Sequence, residues 1–182
     1  MAPLLSLLMA LLVFCYGPSG SLGCDLSQDH VKVNTENIEL LHQMGRIISS
    51  SCLKDRKSFG FPWEMVSGSK VQKAQVISVF HKMLEQTFLV FKREQAPAAW
   101  NTTLLLSGLH LQLKDLGSCL VPEMKEAEST LGMEDSTPAM NRYFQGIHLY
   151  LEEKQYSDCA WKVVTVEIRR AFSSLTWLLE RL

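Results

Sequence analysis

The sequence has only one long hydrophobic run, Leu4 to Cys15 within MAPLLSLLMALLVFCYGPSGSLGC, and it is roughly half the ~20 residues that a membrane-spanning helix needs. With no second such run, membrane insertion is not expected. The chain also lacks an excess of either charge. Its 18 Lys and Arg against 19 Asp and Glu leave a net charge of -1, without the basic surplus that nucleic-acid binders carry. Catalytic signatures are missing as well: there is no HExxH, GxSxG or Walker motif and no phosphate-binding glycine loop. Histidines 30, 42, 81, 110 and 148 are scattered without a paired ligand spacing. The cysteines form no CxxC pairs of the kind zinc sites use. Acidic pairs such as Glu134-Asp135 and Glu152-Glu153 fall at loops or helix ends, where solvation accounts for them. Neither an enzyme nor a metal- or cofactor-binding protein is indicated, so cofactors are expected to be none.

The apolar run is followed by Gly17, Pro18 and the small residues ending Ser21-Leu22-Gly23, which reads as a secretory signal peptide over residues 1–23. Cleavage there leaves residues 24–182, enough for one domain with a single sizeable core. The mature part keeps Cys24, Cys52, Cys119 and Cys159, an even number that in an oxidising compartment argues for two disulfides. Four cysteines allow three pairings, and the residues alone do not choose between them. The same route makes the single sequon, Asn101-Thr102-Thr103, a candidate glycosylation site.

Helical periodicity dominates what remains, with neither convincing strands nor internal repeats. Ile38, Leu41, Met44 and Ile48 define a first helix from about Val31 to Ile48. An aperiodic stretch of about twenty residues follows, SSSCLKDRKSFGFPWEMVSGS, and loops of that length tend to be functional or tied down. Its basic run, Leu53 to Lys57, could be a solvated loop, a heparin-like patch or part of a receptor surface, and composition puts the solvated loop first. A second helix near Lys70 to Lys92 carries Ile77, Phe80, Leu84, Phe88 and Phe91. The third, from Trp100, has leucines at 104, 105, 106, 109, 111, 113, 116 and 120; being apolar nearly all round, it is expected to be central. Pro122 and EMKEAESTLGMEDS suggest a second long connection. A fourth helix then opens with Thr137 as N-cap and Pro138 at N1, and it carries Met140, Phe144, Ile147 and Leu151.

In the last segment the run VVTVEI has strand propensity, but Trp161, Val164, Ile168, Phe172, Leu175 and Leu179 sustain a helical stripe over five turns. Burying such a face outweighs local propensity, so a helix from about Cys159 to Glu180 is expected, capped by Ser157 or Asp158. Its opposite face collects Lys162, Val166, Arg169, Ser173 and Trp177, flanked by Thr165 and Arg170. Bulky apolar groups beside arginine are the mix found at protein-binding hot spots; the plainer alternative is that Val166 and Trp177 pack under a loop. Five helices with two long and two short connections suit an all-α, up-up-down-down cytokine bundle with a long first crossover.

Several blocks together resemble the type I interferons: CDL at residues 24–26, SCLKDRKSFGFPWE, QKAQVISVFHKMLEQ, AAWNTTLL, LKDLGSC and RYFQGIHLYLEEKQYSDCAWKVVTVEIRRAFS. They occur in family order over essentially all of residues 24–182. The branch they look most similar to is that of alpha, omega and tau; the shortened C-terminus and single sequon resemble the zeta type, also called limitin. The resemblance implies pairing of Cys24 with Cys119 and of Cys52 with Cys159. It also implies a secreted monomer that bridges the two chains of the interferon alpha/beta receptor and activates Janus kinase and STAT signalling. Antiviral, antiproliferative and immune responses would follow. Matching positions for receptor subunit 2 are Leu53, Arg56, Thr165, Val166, Arg169, Arg170 and Ser173. Those for subunit 1 are Phe88, Leu89, Arg93, Leu106, His110, Asn141 and Arg142. The family often has Arg at the position of Thr165, Met at that of Arg169, tyrosines at those of Leu106 and His110, and Arg at that of Asn141. Altered relative potency is expected from these departures. The competing readings are a secreted carrier of an apolar ligand, which would need an interior cavity, and a secreted hydrolase, for which no constellation exists.

Overall fold

The computed structural model describes residues 28–46, 50–68, 71–93, 95–130 and 136–181, with the backbone alone at residues 28, 119 and 121–130. The signal segment, Cys24, Ile48 and the acidic pair Glu134-Asp135 lie outside these residues. Among the described residues there are five α-helices: α1 (Gln28–Gly45), α2 (Lys73–Arg93), α3 (Thr102–Thr130), α4 (Thr137–Glu153) and α5 (Asp158–Arg181). Two short 3-10 turns, Ser50–Asp55 and Trp63–Met65, punctuate the first long connection. No strand occurs among the described residues.

Side-chain pairings fix the directions. Asn34 meets Thr176 while Gly45 faces Thr165 and Val166, so α1 and α5 are antiparallel. Phe80 against Phe172 and Phe91 against Trp161 make α2 antiparallel to α5 as well. Asn34 and Asn37 both bond Gln112, while Asn37 lies against Gly108; α3 therefore runs opposite to α1. The result is up-up-down-down. The helices α1, α3, α2 and α5 close the bundle, with α4 packed on α2 and α5. The interior is filled by interlocking aromatics and aliphatics, with Trp161, Tyr150, Phe80, Phe144 and Phe172 fully buried.

Three sequence-based expectations shift. The stretch after Pro122 is not a loop, because α3 continues to Thr130. Glu, Met, Lys and Ala in EMKEAES cost a helix little, so the segment continues helical past Pro122 despite the roughly 3 kcal/mol an interior proline costs. The second connection is correspondingly short. Second, α3 is not the most enclosed helix: Leu105, Leu109, Leu116 and Leu120 are buried, yet Leu104 and Leu111 stand 53% and 51% exposed. The central positions belong to α2 and α5, each with ten buried residues. Third, α4 is capped by Ser136 rather than Thr137, and this cap makes no side-chain hydrogen bond. The start of α5 matches expectation, with the Ala160 N–H donating to Ser157 Oγ at 3.3 Å.

The turn between α4 and α5 is tight because α4 ends in paired reverse bonds, Gln155 N to Glu152 O at 2.9 Å and Tyr156 N to Leu151 O at 2.8 Å. Gln155 and Tyr156 take the left-handed backbone that closes it.

Candidate functional site

The first long connection is held down along its length. Cys52 is bonded to Cys159 on α5, with Cα atoms 5.1 Å apart. Three residues on, Asp55 pairs with Lys154 at 3.3 Å and its backbone carbonyl accepts from Tyr150 Oη at the end of α4. Burial and the Asp55 carboxylate push the Tyr150 hydroxyl up to about 12. Phe59 then stacks edge-on against Tyr150 at 5.2 Å, and Phe61 against Tyr143 at 5.2 Å. Each anchor draws the connection toward α4 and α5. The basic run therefore lies against the last helix, with Leu53 at 48% and Arg56 exposed between the anchored residues.

This brings together side chains more than a hundred positions apart. Arg56, Lys57 and Ser58 from the connection line one cleft with Val163, Val166, Glu167 and Arg170 from α5, enclosing about 280 Å³. Glu167 is the acidic member of an otherwise basic cleft. Burial raises its carboxyl above the usual range, partly offset by the hydrogen bond that Tyr143 Oη donates at 3.3 Å and by the Arg170 charge. Burial also raises the Tyr143 hydroxyl. One turn along α5, Ser173 is exposed, and Arg169 is half-buried beside it.

Thr165 corrects the sequence reading. It was expected on the outward face, but it is completely buried. At the end of α1, Gly45 lets the backbone come so close to α5 that a Cβ there would touch Val166 Cγ2 at 3.0 Å and Thr165 Cγ2 at 3.8 Å. Thr165 thus belongs to the seam between α1 and α5. Val166, half-buried, sits at its edge.

Toward the C-terminal end of α5, Trp177 is 50% exposed, and the Arg181 guanidinium stacks over its ring at 3.9 Å. It shares a groove of about 610 Å³ with Trp63, Val66, Val71, Ser173 and Leu178. The loop that could have covered Trp177 runs alongside it instead, leaving the ring half open.

A second group of sequence-selected residues lies on other elements. Phe88 on α2 and His110 on α3 have ring centroids 6.4 Å apart, and Lys92 Nζ lies 5.4 Å over the Phe88 ring. Leu89 and Leu106 are half-buried, while Arg93 and His110 are exposed. Asn141 and Arg142 are exposed on α4, which packs on the same helix α2. The two groups are thus distributed over different parts of the bundle, one on α5 and the tethered loop, the other on α2 and its neighbours.

Lys57 belongs to the basic run singled out in the sequence, whereas Ser58, Val163 and Glu167 were missed as cleft residues. Glu167 was accessible in principle, since it stands three positions before Arg170 and four after Val163, adjacent on a helix. Which part of the loop faces α5 depends on Asp55 meeting Tyr150, a contact no local pattern announces. Among the described residues there is no helix long and apolar enough to cross a membrane, and no group of three or more His, Cys, Asp or Glu that could hold a metal ion.

Comparison with known proteins agrees with this architecture. The family model for the interferon alpha/beta domain matches residues 26–182. Interferon omega-1 of Bos taurus is 57% identical over 185 aligned positions, covering 100% of this chain and 95% of that relative. Interferon tau of Cervus elaphus is 54% identical and interferon omega-1 of Homo sapiens 50%, each with the same coverage. Zebrafish interferon 2 shares the fold with a TM-score of 0.61 at 22% identity, over 81% of this chain and 96% of that chain. A family match over residues 26–182 and relatives 50–57% identical across all of this chain make it a type I interferon of the alpha, omega and tau branch, and so a cytokine rather than an enzyme.

Proposed function

We propose that this interferon is secreted after removal of residues 1–23 and acts as a monomer, bridging the two chains of the interferon alpha/beta receptor. Janus kinase and STAT activation would follow, with antiviral, antiproliferative and immunomodulatory responses. The observation that carries the reading is the cleft in which the tethered loop and α5 present Arg56, Lys57, Val166 and Arg170 together. Receptor subunit 2 would dock there, contacting Leu53, Arg56, Val166, Arg169, Arg170 and Ser173. A half-exposed valine among arginines offers both a desolvated contact and charge-assisted hydrogen bonds, the combination that dominates interface energetics. Thr165 would act from beneath, by positioning Val166.

Receptor subunit 1 would bind the other group, Phe88, Leu89 and Arg93 with Leu106, His110, Asn141 and Arg142. Its aromatic and cationic members, such as Phe88 under Lys92, suit a second, more polar contact. A second disulfide between Cys24 and Cys119 is supported by the antiparallel run of α1 and α3, which brings residue 119 beside the start of α1. Attachment of an N-glycan at Asn101 is supported by its exposed position at the head of α3.

The test is to treat responsive cells with the folded protein, with and without an antibody that blocks receptor subunit 2. STAT phosphorylation and protection from virus that the antibody abolishes are expected. A folded protein that elicits neither overturns the reading.

A further inference from the structure

The exposed leucines of α3 are not scattered. Asn101, Leu104, Gly108 and Leu111 recur at three- and four-residue spacing, so they form one stripe with the sequon at its head. Leu104 and Leu111, 53% and 51% exposed, line a groove of about 480 Å³ between α3 and α1, whose α1 wall includes Val33 and Leu40. In the middle of the groove Gly108 lies directly against the buried Asn37, so the two helices meet there and form the floor. The rim is polar. Thr35 Oγ1 donates to the Val31 carbonyl at 2.9 Å and Ser107 Oγ to that of Thr103 at 2.9 Å, so both hydroxyl oxygens keep lone pairs for an outside donor. Glu36 and Glu39 add carboxylate acceptors. An apolar floor edged by carboxylates and hydroxyls suits a pyranose ring, which has an apolar face and a periphery of hydroxyl donors.

The sequon supplies such rings at the right place. Asn101 Oδ1 accepts the Leu104 N–H at 3.3 Å, capping α3, and this leaves Nδ2 for modification. Attachment joins Nδ2 to C1 of a lipid-diphosphate-linked oligosaccharide; the amide loses one proton and the diphosphate leaves. The helix rise puts Leu104 about 4.5 Å and Leu111 about 15 Å along the axis from the attachment residue, so the first sugars are tethered at the groove's mouth. We propose that the first N-acetylglucosamine residues of a glycan on Asn101 lie along this groove, with their apolar faces on Leu104 and Leu111 and their hydroxyls toward Thr35, Glu36, Glu39 and Ser107. The glycan thereby covers an apolar surface that the bundle leaves open.

The inference rests on the secretory reading but not on receptor engagement. The test is hydroxyl-radical footprinting of the full chain secreted from mammalian cells, before and after enzymatic removal of the glycan under native conditions. De-glycosylation leaves aspartate at position 101, which can still cap the helix. Labelling of Leu104 and Leu111 is expected to rise severalfold, while Leu149 and Trp177, exposed elsewhere at 56% and 50%, stay constant. A Leu104→Ser, Leu111→Ser chain, with its sequon intact, should need the glycan less for remaining monomeric. Unchanged labelling at both leucines, or peptide mapping that finds Asn101 unmodified, overturns the proposal. Signalling assays on the same samples report the receptor reading independently.

Discussion

Replacing Gly108 with alanine tests how the α1–α3 seam is built. On an isolated helix this change is favourable by about 1 kcal/mol, because glycine is the costlier residue in a helix interior. Here a Cβ at 108 would sit 2.9 Å from Asn37 Cγ and nearer still to its Oδ1. Asn37 cannot easily yield. Its Nδ2 donates to Gln112 Oε1 at 2.6 Å, Gln112 Nε2 donates to Asn34 Oδ1 at 3.0 Å, and Asn34 Nδ2 donates to Thr176 Oγ1 at 2.7 Å. The chain of bonds ends on the backbone, where Thr176 Oγ1 donates to the Phe172 carbonyl at 2.8 Å. Displacing Asn37 leaves its amide and the Gln112 carbonyl buried without partners, at about 1–3 kcal/mol each. Less the propensity gain, the net loss is about 1–5 kcal/mol, or a fall in Tm of roughly 2–20 °C for a domain of this size. Circular dichroism during thermal unfolding reads it directly. In an Asn37→Ala background the same glycine substitution should cost little. A higher Tm for Gly108→Ala, or equal costs in both backgrounds, would refute the reasoning.

Joint replacement of Cys52 and Cys159 by serine should remove up to about 4–5 kcal/mol of stability, as expected for opening a closure of 107 residues, and should weaken binding to receptor subunit 2 by freeing Leu53 and Arg56. Thr165→Val should raise stability by about 1 kcal/mol, because the buried Thr165 hydroxyl has no hydrogen-bond partner among the described residues; receptor affinity should stay unchanged. Glu167→Gln should stabilise at neutral pH. The folded-state pKa of Glu167 lies above its ordinary 4.5, so its favourable contribution exists below that value and is lost as pH rises through the raised one. The advantage of Gln should therefore vanish in melting curves taken near pH 4.

Periodicity made the five helices and the up-up-down-down order legible, because each buried stripe is a local pattern that sums over several turns. The α5 stripe was recoverable despite the strand propensity of VVTVEI, since six core positions at helical spacing outnumber one short run. Thr165 was misplaced because it borders the outward face on a helical projection. Only the close approach permitted by Gly45 decides that α1 covers it. The leucine-rich α3 misled for a related reason: leucines all round say that surface must be covered but not by what, and Leu104 and Leu111 face the groove rather than another helix. Pro122 signalled an ending, yet the helix runs through it to Thr130, over residues that mostly tolerate a helix well. The cleft itself depends on contacts between distant residues, such as Asp55 with Tyr150, which no local pattern encodes.

The most direct test of the receptor face is to measure Arg170→Ala for binding to the isolated ectodomain of receptor subunit 2, alongside its Tm. The residue is exposed at the mouth of the cleft, so its loss should weaken binding by about 1–3 kcal/mol, some 5- to 150-fold in Kd, while Tm stays within a degree or two of the unmodified protein. Unchanged affinity, or a fall in folding stability as large as the loss in binding, would contradict the assignment of this face to receptor recognition.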